Sequence, residues 1–153
     1  MRVVIFTIVV AVLVMGGLSP RAGDPLDPML SPEAAVHIQL RALQNNDVPS
    51  PDSGIRKAWA FAHPDNKRLT GPLPKFMAMI KQPAYAMLLN HQNHEIKLLE
   101  RSASIAVFAI RVPANDGLVY LCRWQVAPVS GGENYGAWLT IGVSPLMAVG
   151  KET

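Results

Sequence analysis

The chain of 153 residues is half apolar and only 16% charged, enough for one compact core, too little for two, and incompatible with a disordered chain. Its formal charge of +3 comes largely from the front: with Arg2 and Arg21 set aside, 12 basic residues face 11 acidic ones. Only Arg56/Lys57 and Lys67/Arg68 are adjacent, so no basic stripe tracks a phosphate backbone and nucleic acid is not expected as a partner.

Residues 1–22 have the order of an export signal: Arg2, an apolar run from Val3 to Met15, then Gly16, Gly17, Ser19, Pro20 and Ala22. The run is shorter than the roughly 20 residues that span a bilayer. A cleaved signal is therefore expected, with an uncleaved membrane anchor as the alternative, and export to a periplasm, the cell exterior or an organelle lumen. Residues 23–30, rich in Pro, Asp and Gly, read as a linker. A single domain is expected over 31–144, followed by a tail at 145–153.

Ser31-Pro32-Glu33 is a helix start: a capping hydroxyl, a proline where no N–H is needed, and an acid to complement the dipole. Val36, Leu40 and Leu43 continue it as an amphipathic helix to about Asn46. Pro49, Pro51 and Gly54 break the chain. A second helix is predicted over 55–62, with Ile55, Ala58, Trp59 and Ala62 on one stripe, and Pro64 ends it. His63-Pro64-Asp65-Asn66 reads as a capped turn. Leu73, Phe76, Met77 and Ile80 predict a third helix over 72–81. Residues 85–89 are a short turn or a strand start.

The second half changes period. Glu95 and Lys97 alternate with Ile96 and Leu98, and 104–112 is apolar on both parities, as in a strand covered on both faces. Asn115-Asp116-Gly117 is a hairpin turn. Leu118, Tyr120, Cys122, Trp124 and Val126 share one face of the next strand, with Arg123 and Gln125 opposite. After Ser130-Gly131-Gly132, Ala137, Leu139, Ile141 and Val143 form a last alternating strand. The fold class predicted is α+β: N-terminal helices packed on a curved four-stranded antiparallel meander. Trp59, Phe61, Leu73, Phe76, Phe108, Trp124 and Trp138 are its expected core.

Leu30-Ser31-Pro32-Glu33, the run from Gln39 to Asp47, Ser53-Gly54-Ile55, Phe61-Ala62, Pro64, Asn66, Thr70-Gly71-Pro72-Leu73, Phe76 and Pro83-Ala84-Tyr85 resemble a family of small exported or organellar proteins known as a domain of unknown function. Trp138 and Gly142-Val143 are similar to the end of that family's meander, and the residues after Ser144 depart from it. The family is similar in turn to the cone-shaped, nuclear transport factor 2-like (cystatin-like) superfamily. That likeness implies the same helix-then-meander fold. It does not select a function, because the superfamily holds isomerases, dehydratases, ligand carriers and non-catalytic modules.

No residue set in the sequence specifies a reaction. The superfamily likeness implies a pocket with one carboxylate and a tyrosine or histidine, for which Asp65, Tyr85, Tyr120 and His91 are the catalytic candidates, with His63 and Arg123 as further polar groups. Trp59, Phe76, Tyr85, Phe108 and Trp124 are the candidate ligand-binding side chains. His91 and His94 stand three apart with Glu95 beside them, but no full ligand set is present, so no metal and no cofactor are expected. Gly54 and Gly71 at helix entries lack any phosphate-binding glycine run. Cys122, the one cysteine, reads as a buried inert thiol.

The expected function is non-catalytic: binding a small apolar ligand or a protein partner, with a homodimer through the sheet. The alternative is a cofactor-free isomerase, dehydratase or hydrolase-like enzyme using a carboxylate and Tyr85 or Tyr120. A membrane-tethered subunit of a larger assembly follows only from an uncleaved N-terminal segment.

Overall fold

The computed structural model describes residues 26–151; the signal or anchor expected at 1–22, and the linker up to residue 25, lie outside the described residues. Four α-helices come first, α1 (Pro32–Gln44), α2 (Ser53–Ala60), α3 (Pro64–Thr70) and α4 (Leu73–Ile80), then one 3-10 turn at Ala86–Leu88. Five strands follow: β1 (Glu95–Arg101), β2 (Ala106–Pro113), β3 (Leu118–Pro128), β4 (Trp138–Val143) and β5 (Met147–Lys151). Every pairing between strands is antiparallel. The protein is thus α+β, with helices on an open sheet.

Helix α1 starts where its sequence dictates, the Ser31 hydroxyl accepting from the Ala34 N–H at 3.1 Å. Its buried stripe of Val36, Leu40 and Leu43 meets Ile55 and Ala58 of α2, Phe76 and Ile80 of α4, and Phe108, Ile110, Val112, Cys122, Trp124 and Val126 of the sheet. The α1–α2 approach is close enough to require a glycine. A Cβ on Gly54 would stand 2.1 Å from the Ala42 carbonyl oxygen, inside any allowed contact.

Of the expected core, Phe61, Phe76, Phe108 and Trp124 are buried, whereas Trp59, Leu73 and Trp138 are half-buried at its margin. Trp59 lies against Phe76 with ring centres 5.0 Å apart and carries the Lys67 ammonium 5.5 Å from its ring centre.

Several sequence expectations need correction. His63-Pro64-Asp65-Asn66, expected as a capped turn, instead opens helix α3, because His63 caps it: its Nδ1 accepts from the Asp65 N–H at 3.1 Å. The sheet has five strands, since 147–151, expected in a tail, pair as β5 with Leu118–Leu121 of β3. The C-terminal half of the same long strand pairs with β4. Residues 26–30 are packed on the domain and do not act as a spacer: Leu26 and Leu30 lie against Ala35, Phe61, Val129, Ala137 and Leu139, and the Leu26 N–H donates to Asn134 Oδ1 at 2.9 Å.

The simple alternation expected in β4 is also broken. Trp124 faces Val143 and Val126 faces Thr140, so one residue of β4, Ile141, is an insertion between them. This bulge turns both Thr140 and Val143 to the helix side of the sheet.

Candidate functional site

Between α1, α2, α3, α4 and the β3–β4 pair lies a cavity of about 190 Å³. Its walls are mostly apolar, from Leu43, Ala58, Phe76, Ile80, Leu88 and Val143, with Met79 and Tyr85 half-exposed at its rim. Gln39, Asn66, Thr70, Tyr85, Trp124 and Thr140 are the lining residues with polar side-chain groups. Among the described residues, no carboxylate, imidazole, ammonium, guanidinium or thiol lines it.

The buried polar groups orient one another. The Ala58 carbonyl oxygen takes an N–H from Gln39 Nε2 at 3.0 Å, which fixes the amide so that Gln39 Oε1 accepts from the Thr140 hydroxyl. That hydroxyl in turn accepts from Trp124 Nε1 at 2.8 Å. The relay from Trp124 through Thr140 to Gln39 therefore runs in one direction, because an indole N–H can only donate. Asn66 Nδ2 donates to the Thr140 carbonyl oxygen at 3.1 Å, and the Thr70 hydroxyl to the Asn66 carbonyl oxygen at 2.8 Å. These bonds tie α1, α3 and β4 together around the cavity.

Tyr85 donates its hydroxyl to the Val143 carbonyl oxygen at 3.2 Å. Burial, helped by the neighbouring Cys122, holds its phenol above the ordinary value, so it is a neutral donor at physiological pH. Cys122 itself faces the core, where burial pushes its thiol up to about 12. A thiol held protonated in this way is a poor nucleophile.

The sequence candidates divide accordingly. Tyr85, Phe76 and Trp124 line the cavity. Phe108 is in the packed core beneath it and Trp59 behind Phe76. Asp65 is turned outward on α3 in an ion pair with Arg68. Tyr120 donates to Asp116 Oδ2 at 2.7 Å at the β2–β3 turn. The structure does not bring Asp65, Tyr120 and His91 to the cavity with Tyr85.

His91 and Asp116 do share a different, more open groove, lined also by Met87, Asn90, Pro113 and Asn115. Both His91 nitrogens are occupied there: Nδ1 lies 2.7 Å from the Leu88 carbonyl oxygen and Nε2 2.7 Å from His94 Nδ1. The carbonyl can only accept, so His91 carries its proton on Nδ1 and takes a second N–H from His94. Burial is the first cause that lowers both imidazoles below their ordinary value. For His94, His91, His37 and Arg41 add to it. Among the described residues, no group of three His, Cys, Asp or Glu side chains could hold a metal ion.

Sequence reasoning did not identify Gln39 and Thr140 as site residues. Gln39 opens one of the runs that carry the family resemblance, but nothing in the sequence links it to Thr140, and the two meet only because the β4 bulge turns Thr140 inward.

Residues 30–149 match the model of a family described as "Domain of unknown function (DUF4864)". The chain belongs to this family. The match takes in both the helical half and the strands, β5 included except its last two residues, so residues 145–149 are part of the DUF4864 domain. No curated protein and no solved structure matches the chain. Among the described residues of this DUF4864 protein, no helix is long and apolar enough to cross a membrane.

Proposed function

We propose that this DUF4864 protein is a non-catalytic binder that holds one small, mainly apolar molecule in the cavity between its helices and its sheet. The cavity itself carries the reading: about 190 Å³ of space walled by apolar side chains, with polar groups at one end. An apolar cavity of about 150 Å³ accepts benzene, and drug-sized ligands need roughly 300 Å³ or more. The occupant is therefore the size of a single substituted ring.

The likeness to cone-shaped, nuclear transport factor 2-like domains belongs to the same proposal and is supported by the order of helices followed by an antiparallel meander. Export is proposed on the pattern of residues 1–22, with membrane attachment following only if that segment is retained. The rival enzyme needs a carboxylate in the cavity, and Asp65 is paired outside it.

A protein-interaction role has one observation in its favour. Leu98 and Leu99 are exposed on β1, which stands at the edge of the sheet, and an apolar edge strand can pair with a second copy.

Native mass spectrometry of the protein purified from an exporting host tests these readings together. A small molecule retained at one per chain is the expected result. A chain that is empty and also takes up no small apolar compound would refute the binding role.

A further inference from the structure

We infer that the cavity selects an uncharged molecule and that Gln39 recognises a hydrogen-bond acceptor on it, of the carbonyl kind; this rests on the reading of the cavity as a binding site. Two observations carry it. The first is the charge of the wall. Among the described residues, no ionisable group other than the neutral Tyr85 phenol lines the cavity. A carboxylate or ammonium entering it would lose its hydration with no counter-charge in return, which is among the largest costs a buried site can impose. Lys67, whose neighbour Asn66 reaches the cavity, has its ammonium over the Trp59 ring and bonded to the Ala60 carbonyl oxygen.

The second is an unspent donor. Gln39 is 2% exposed, and its Nε2 has two N–H groups, of which one is given to Ala58. The other has no acceptor among the described residues, although Gln39 lines the cavity. The relay's other two protons are committed, that of Thr140 to Gln39 and the Trp124 N–H to Thr140; lone pairs remain on Gln39 Oε1 and Thr140 Oγ1, but each of these oxygens already has a partner, whereas the second Gln39 N–H has none among the described residues. The buried end therefore presents a free N–H, and a ligand oxygen with a lone pair is what satisfies it. Asn66 adds a second such donor, having given one N–H to the Thr140 carbonyl oxygen.

Three probes of nearly equal size separate the terms: acetophenone, α-methylstyrene, in which a CH₂ replaces the carbonyl oxygen, and benzoate. Each is titrated into the full chain at neutral pH while the Trp124 indole and Gln39 side-chain amide resonances are followed by NMR. Acetophenone is expected to bind and to shift the Gln39 amide. α-Methylstyrene should bind about tenfold more weakly, the effect of one hydrogen bond, and benzoate should not bind. In Gln39→Met the preference for acetophenone over α-methylstyrene should fall. The Gln39 resonance of the unaltered protein gives the same information if that variant does not fold. α-Methylstyrene binding as tightly as acetophenone, or benzoate binding best, would overturn the inference and leave the cavity as a binding site. Failure of both neutral probes would overturn the binding role itself.

Discussion

The indole N–H of Trp124 donates to the hydroxyl of Thr140 across 2.8 Å inside the core, and this bond exists because a one-residue bulge in β4 turns Thr140 toward the helices. From Thr140 the relay continues to Gln39 on α1 and ends on the α2 backbone at Ala58. One hydroxyl thus joins the sheet to two helices and frames the buried end of the cavity.

Replacing that hydroxyl is the sharpest test of the relay. Thr140→Val keeps the side-chain shape but leaves the Trp124 N–H and Gln39 Oε1 buried without partners, and each orphaned group costs about 1–3 kcal/mol. A loss of about 2–4 kcal/mol in urea unfolding is expected, while Thr140→Ser, which keeps the oxygen, should lose less. Equal losses in the two variants would show that the hydroxyl contributes nothing beyond packing.

Acid should loosen the corner between the 3-10 turn and β1. Burial lowers the His91 and His94 imidazoles below 6.5 in the folded protein, so between the folded and unfolded values the unfolded chain binds more protons. Their stabilising contribution is full above about 6.5 and is lost as pH falls below it, flattening once the folded values are passed. His37 and Arg41, on α1, add positive charge beside His94 and act in the same direction. The carboxylates of Asp47, Asp52 and Asp116 are lowered from 3.8, chiefly by the Asp52 N–H, the Lys81 ammonium and the Tyr120 hydroxyl respectively, so their contribution is lost only at lower pH. Unfolding free energies measured from pH 8 to pH 5 should therefore decline below about 6.5; a rise on acidification would contradict this account.

Residues 26–30 should behave as part of the domain. Leu30→Ser removes an apolar side chain packed against the Ala35, Phe61 and Leu139 cluster, and for a partly buried leucine a loss of about 1–2 kcal/mol is expected. Unchanged stability would restore the segment to the role of a spacer.

What the sequence made legible follows from where its signals are local. The start of α1 is written in Ser31, Pro32 and Glu33, and the β2–β3 hairpin in Asn115-Asp116-Gly117, so both were read directly. Helix α3 was not, because it buries none of its residues and shows no apolar stripe, and its cap is a histidine. Strand β5 was missed for the same reason: all five of its residues are exposed, so it has no alternation, and only its pairing with β3 defines it. The cavity was half legible. Phe76, Tyr85 and Trp124 announce themselves as large side chains on apolar elements, whereas Gln39 and Thr140 stand 101 residues apart and read singly as ordinary polar residues. Asp65 is a candidate only as the carboxylate that the superfamily likeness implies, and its partner Arg68, one turn along a helix with no apolar stripe to announce it, turns it to solvent.

The binding role rests on the cavity being open to a ligand, and filling it is the most direct test. Ala62 lines the cavity and is 2% exposed, so Ala62→Leu would put three extra carbons where the ligand is proposed to sit. With folding of both proteins verified by thermal unfolding, acetophenone is titrated into each and the Trp124 indole resonance is followed. A saturable shift is expected in the natural protein and none in the filled variant. The same shift in both, or no shift in the natural protein, would contradict the binding role.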